Sequence, residues 1–214
     1  MTLTCLSPTT DLNEYRSHLP RLKTEAEFDA KELHELPDNV TKDISDWKMK
    51  ILSAFFRENQ GRFFGKRGTL LIGHMLIRNS EDADARAKGL KDVCFVFLVT
   101  DDGAQDEWEV ICAKAFVFQH YVQTPKVLSQ SDGAGCFSSK LNRIVTPFWE
   151  ALTGVVELEN RISPRGGGKT GFDSGYGKMI HVQSNSVNAC LLFTSDAADD
   201  RLFLYIGRRS ILKL

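Results

Sequence analysis

The stretch Lys126–Ser139, KVLSQSDGAGCFSS, decides how the rest of the chain is interpreted. Apolar residues near its start are followed by Ser131-Asp132 and then by small residues at 133–135, which is typical of a strand that ends in a loop. A carboxylate at the C-terminal end of a sheet strand lies where α/β folds place their chemistry. Because Asp-Gly is also a common turn pair, Asp132 becomes a candidate site residue only if other carboxylates accompany it.

Composition and charge indicate an ordinary globular protein. The 214 residues are 42% hydrophobic and 26% charged, and the formal net charge is −1, so DNA binding would need a local basic patch. The five cysteines form no C-x-x-C pair, which argues against a zinc ribbon and a disulfide framework. We find no membrane-spanning run and no secretory signal. We therefore expect an intracellular protein, nuclear or cytoplasmic, with no membrane partner.

Hydrophobic patterns predict a helical approach segment over residues 1–39, with a first helix from about residue 10 and a second after Thr24. The chain then alternates between strands and helices. The predicted elements are strands near 40–51, 69–77 and 92–100, a helix over 104–123, the strand before Asp132, a helix over 138–152 that Pro147 kinks or restarts, and a strand over 153–161. This order predicts an α/β mixed sheet, a three-strand meander followed by α/β units, with flanking helices.

The apolar side of the helix over 138–152 is predicted to consist of Leu141, Ile144, Val145, Phe148, Trp149 and Leu152. These residues follow the spacing of one continuous helix, so we expect them to be buried on the same side.

The glycine-rich segment 161–178 raises the possibility of a nucleotide site. Gly168-Lys169-Thr170 resembles the end of a phosphate-binding P-loop, but Ser163 stands where that motif needs its first glycine. The segment also follows the sheet, whereas nucleotide folds place the motif in the first strand–helix turn. Three interpretations stay open: a basic loop near a phosphate backbone, a plain surface loop and a P-loop-like nucleotide-binding site.

Three aspartates have comparable settings, namely Asp46 in the first strand, Asp132 after the fourth and Asp173 at the start of a last predicted helix. Parallel pairing of strands one and four would bring Asp46 and Asp132 together, and a helix packed over them would add Asp173. Clustered carboxylates repel one another unless a cation neutralises them, and magnesium favours carboxylates plus phosphate oxygens. The sequence therefore predicts a two-ion magnesium or manganese site for phosphoryl transfer.

Three separated blocks also occur in a recognisable order: SDWKMKILSAFFRENQGRFFGKRG at 45–68, LSQSDGAGCFSS at 128–139 and SPRGGGKTGFD at 163–173. They resemble motifs of the transposase-like proteins of eukaryotic DNA transposons, which have an RNase H-like catalytic domain. The resemblance covers roughly residues 36–189. It implies an RNase H-like domain over 40–189, incomplete in this chain.

The resemblance further implies an acidic triad of the DDE/D type that cleaves DNA phosphodiester bonds and transfers strands. The implied catalytic and metal-binding residues are Asp46, Asp132 and Asp173, and the implied DNA-phosphate contacts are Lys66, Arg67 and Lys169. Two positions depart from the family motifs, because Gly133 replaces the usual Asn and Phe172 the usual Cys. No zinc-binding DNA-recognition module precedes the domain. An inactive transposon remnant that acts as a DNA-binding or interaction module is therefore the alternative.

Residues 190–214 do not continue the family pattern. The run CLLFTSDAADD, Cys190 to Asp200, resembles the conceptual translation of a sequencing-library adapter. We therefore expect 190–214 to be a non-native tail; the alternative is a genuine C-terminal strand and helix.

Overall fold

Runs rich in Val, Ile, Leu and Phe form the strands of one mixed sheet. The computed structural model describes residues 8–51, 69–100, 105–163, 201–204 and 210–212. The strands are β1 (Val40–Ile51), β2 (Thr69–Asn79), β3 (Lys91–Thr100), β4 (Lys126–Ser131), β5 (Val156–Ile162), β6 (Arg201–Leu204) and β7 (Ser210–Leu212). The helices are α1 (Pro8–His34), α2 (Ala83–Ala87), α3 (Glu107–His120), α4 (Lys140–Val145) and α5 (Trp149–Thr153), with a 3-10 turn at Thr146–Phe148 between the last two.

The sheet combines antiparallel and parallel pairing in the order β5-β4-β1-β2-β3-β6, and β7 also pairs with β3. Strands β1, β2 and β3 form an antiparallel meander. Strand β4 then adds parallel to β1 on its other side, and β5 adds parallel to β4. Short loops suffice within the meander, whereas the parallel additions require helical crossovers, which α3 and the α4–α5 segment provide. The predicted α/β mixed sheet with flanking helices is confirmed.

Alternating side chains divide the core between the two faces of the sheet. On one face, which we call the α3 face, α3, α4 and α5 cover a cluster that includes Val96 and Val117. Trp149 is 1% exposed there and meets Phe118 edge-on, with ring centroids 5.5 Å apart. On the opposite face, the α1 face, Leu33 of α1 packs against a smaller cluster. Among the described helices, none is long and apolar enough to cross a lipid bilayer.

The N-terminal segment differs from its prediction, because one helix of 27 residues replaces the expected two. Helix α1 continues through Pro20 and through Thr24, where the second helix was predicted to begin. The Thr24 hydroxyl donates to the Pro20 carbonyl at 3.0 Å, a bond that a threonine makes inside a helix. The hydroxyl therefore supports the helix interior and does not mark a new start.

The segment over 138–152 does restart at its proline, as predicted. Ser139 caps α4 by accepting from the Asn142 amide at 3.1 Å, and Pro147 lies in the 3-10 turn before α5. The expected apolar side is wrong for three residues, since Ile144, Phe148 and Leu152 are 62%, 57% and 60% exposed. The 3-10 turn has three residues per turn, whereas an α-helix has about 3.6. Side chains that would lie on one side of a continuous α-helix over 138–152 therefore do not all point toward the core.

Two pieces of the predicted non-native tail form strands. Strands β6 and β7 pair antiparallel with β3, the strand that would otherwise end the sheet. An open sheet edge offers its backbone groups to any extended segment. The pairing is therefore compatible with either origin of residues 190–214, and the artefact interpretation stays a prediction.

Candidate functional site

The parallel pairing of β1 with β4 sets the geometry at the predicted acidic site. The register aligns Ile44 with Gln130 and Ser45 with Ser131. Asp46 follows Ser45 within β1, and Asp132 follows Ser131 directly after β4 ends, so the last pair of the β1–β4 register immediately precedes both aspartates. The predicted adjacency of strands one and four is confirmed. It brings two of the three predicted aspartates side by side where β4 ends.

Asp46 lies in the middle of the sheet, opposite Gly73 of β2. Asp46 is partly buried, and strand alternation places it on the same face as Ile44 and Lys42, the α1 face.

Asp132 has a structural contact as well as a candidate chemical role. Its Oδ1 accepts from the Ala134 amide at 3.0 Å, so the predicted turn is present. The following loop is held by Asn142, whose side-chain amide donates to the carbonyls of Cys136 at 2.6 Å and Phe137 at 3.3 Å. These bonds fix the end of β4 and hold the Asp132 carboxylate at the edge of the sheet. The turn and site interpretations of Asp132 are therefore compatible.

Cys136 in this loop is a poor nucleophile. Burial raises the pKa of its thiol; a hydrogen bond with the Phe137 backbone opposes this effect, and the negative charge of Asp132 adds a smaller increase. A thiol with a raised pKa carries little thiolate at neutral pH.

Three carboxylates of α1 also approach this side of the sheet, and we call Glu25, Asp29 and Glu32 the acidic row. Their spacing of four and three residues places them on one face of the helix. Glu25 accepts from the Ser163 hydroxyl at 3.0 Å, and the Ser163 amide in turn donates to the Ser131 carbonyl at 2.8 Å. The acidic row was missed by the sequence analysis, although its helical spacing was available as a signal.

The acidic row contacts two cations of the sheet, Lys42 of β1 and Arg161 of β5, which we call the basic pair. The Lys42 ammonium donates to Asp29 at 3.1 Å and to Glu32, and its side chain is 1% exposed. The Arg161 guanidinium donates to Asp29 and to the Gln130 side chain, the latter at 2.9 Å. These contacts tie α1 to strands β1, β4 and β5.

Arg161 also has N–H groups in this cluster that donate no hydrogen bond to the described residues. Its Nε and Nη1 are buried and have no hydrogen-bond partner among the described residues, although Nε lies 3.6 Å from Glu25. The guanidinium stacks over the Phe28 ring at 4.5 Å. The planar guanidinium suits bidentate recognition of an oxyanion.

A second buried polar pair lies on the α3 face, away from the strand ends. His74 Nδ1 contacts Asp43 Oδ1 at 3.0 Å, and the two side chains are 1% and 0% exposed. The pair bridges β1 and β2 inside the core, so its position indicates a structural role.

The remaining predicted site residues, Asp173, Lys66, Arg67 and Lys169, lie outside the described residues. Within the described ranges, no group of three or more His, Cys, Asp or Glu side chains is arranged to hold a metal ion.

A scan against protein-family models and a search of curated proteins both found no match.

Proposed function

We propose that residues 40–189 belong to an RNase H-like domain of transposase type, which cleaves DNA phosphodiester bonds and transfers strands. The observation that carries this proposal is the parallel β1–β4 register, because it supports the juxtaposition of Asp46 and Asp132. An antiparallel meander extended by two parallel strands on the β1 side is also the arrangement expected of such a domain. Both features follow from backbone pairing, independently of the sequence motifs.

The donor set fits the metal that the proposal requires. Asp46 and Asp132 supply hard carboxylate oxygens, which magnesium and manganese prefer, and substrate phosphate oxygens complete such sites. In the proposal Asp173 would contribute a third carboxylate, and the metal ions that these residues would hold would supply Lewis-acid stabilisation of the attacking and leaving oxygens. The β1–β4 pairing and the Asp132 turn orient two of the carboxylates before any ligand binds.

DNA is the partner in this proposal, and Lys66, Arg67 and Lys169 hold its phosphates. Such contacts position the backbone and do not read sequence. The chain has a formal net charge of −1, so binding depends on where these cations lie and falls with added salt.

The test is magnesium-dependent cleavage of a fluorescently labelled DNA duplex by the full chain. We expect Asp46→Asn and Asp132→Asn each to lower the rate at least about 100-fold, because loss of a metal ligand removes several kcal/mol of transition-state stabilisation. Asp84→Asn is the matched control, since Asp84 is an exposed aspartate on α2, and it should leave the rate unchanged. Full activity of Asp132→Asn would refute the acidic site.

A second candidate is an inactive remnant that still binds DNA. The observation in its favour is Gly133, which stands where the family motif has Asn, directly after Asp132. If the wild-type chain binds the duplex but never cleaves it with magnesium or manganese, the remnant interpretation replaces the enzyme.

A further inference from the structure

We propose that the basic pair, Lys42 and Arg161, is a binding site for the nucleic-acid phosphate backbone, and that α1 covers this site until the backbone displaces it. The inference rests on the proposed function and adds to it a substrate contact and a means of regulation. The acidic row covers the site, because Glu25, Asp29 and Glu32 form ion pairs with the two cations of the basic pair.

The position of the basic pair supports a role beside the acidic site. Lys42 and Asp46 share the α1 face of β1, four residues apart, which corresponds to about 13 Å along a strand. Arg161 is the β5 partner of Gln130, two residues before Asp132 on β4. A short stretch of nucleic-acid backbone is long enough to reach both the cations and the two aspartates.

The attachment of α1 is largely polar. Hydrogen bonds and ion pairs link the acidic row to Lys42, Gln130, Arg161 and Ser163. Leu33 adds an apolar contact, whereas Phe28 remains 50% exposed although it stacks on Arg161. These ion pairs are largely buried, so salt alone screens them little, but another anion can replace the carboxylates as acceptor for the same cations. A helix held in this way is suited to displacement by a polyanion.

When the phosphate backbone displaces α1, one set of anionic hydrogen-bond acceptors replaces another on the same two cations. Carboxylate oxygens of α1 accept the hydrogen bonds of Lys42 and Arg161, and phosphate oxygens accept the same bonds with the same charge sign. Three carboxylates face two cations in this cluster, so its net formal charge is −1. Removal of the acidic row leaves a site of charge +2, which attracts a phosphate backbone.

The direct test uses the wild-type chain and hydrogen–deuterium exchange. A single-stranded 20-nucleotide DNA is added at low salt, and binding is checked by fluorescence anisotropy. We expect amide exchange in residues 18–34 to accelerate at least about tenfold in the complex, because α1 leaves the sheet. Binding of the oligonucleotide with unchanged exchange in α1 overturns the cover and leaves the proposed function intact. No binding at all contradicts both proposals.

A second test replaces the acidic row by neutral amides, Glu25→Gln, Asp29→Asn and Glu32→Gln together. We expect DNA to bind at least about tenfold more tightly than to the control Glu27→Gln, Glu35→Gln and Glu150→Gln, which removes the same charge from exposed positions. Adding Arg161→Gln to the acidic-row variant should abolish the gain. Equal affinities for the two triple variants, with retained circular dichroism, refute the inference.

Discussion

Replacing Glu157 by Gln tests whether the Lys114–Glu157 ion pair joins α3 to β5 as a buried charge pair. Lys114 Nζ contacts Glu157 Oε1 at 2.5 Å, and the two side chains are 8% and 0% exposed. Lys114 also lies over the Phe118 ring, 5.6 Å from its centroid. The substitution removes the counter-charge and leaves the ammonium inside the protein, where water cannot solvate it.

The expected cost follows from this burial. Removing one partner of a buried pair typically destabilises a protein by about 3–5 kcal/mol. For a chain of 214 residues, each kcal/mol shifts the melting temperature by about 2–4 °C, so we expect a loss of roughly 6–20 °C. Urea unfolding followed by circular dichroism measures the free energy, and an unchanged denaturant slope shows that the folded state is comparable.

The double variant Lys114→Met with Glu157→Leu provides the decisive comparison. It removes both charges, so no unpaired ion remains, and replacing a buried pair with apolar groups is often neutral or stabilising. We expect its stability to lie within about 1 kcal/mol of wild type. A loss below about 1 kcal/mol for Glu157→Gln alone, as for an exposed pair, would refute the argument that the pair is desolvated.

Two further predictions concern the helical face and the loop after β4. Trp149→Ala should destabilise the protein by about 3–5 kcal/mol in urea unfolding because it empties a filled core site, whereas Trp108→Ala, at a residue that is 57% exposed, should cost less than about 0.5 kcal/mol; equal losses would show that Trp149 is not a core residue. Cys136 should react slowly with iodoacetamide at pH 7 and faster as the pH rises above 9, because burial raises the pKa of its thiol; mass spectrometry of the alkylated peptide gives the rate, and rapid modification at pH 7 contradicts the raised pKa.

The strands were the most predictable part of the fold. The apolar runs that became β2 and β3 are long enough and rich enough in Val, Ile, Leu and Phe to specify buried strands without tertiary context. The parallel pairing of β1 with β4 followed from the order of elements. The sequence could therefore place Asp46 on one strand and Asp132 directly after its parallel neighbour, whereas the convergence of the two carboxylates stays a prediction.

The helices were less predictable, because their local signals are ambiguous. A proline and a threonine in α1 suggested a break where the chain remains helical, and a 3-10 turn before α5 rotated the exposed residues Ile144 and Phe148 outward. The cluster of Glu25, Asp29 and Arg161 depends on contacts between residues far apart in sequence, such as the Asp29–Arg161 contact across 132 residues. Such pairings arise from tertiary packing, which helical spacing alone does not specify.

The central position of β1 has a consequence for the order in which the protein folds. Asp46 lies on β1 and Asp132 follows its parallel neighbour β4, but the 85 residues between them include β2, β3 and α3. Closing a loop of this length costs entropy before the β1–β4 contacts compensate for it, and non-local parallel pairing is slow. The antiparallel meander of β1, β2 and β3 can form early, whereas the candidate acidic site can form only after β4 has paired with β1. During synthesis, this chain would acquire its candidate site after most of its hydrophobic sheet has already formed.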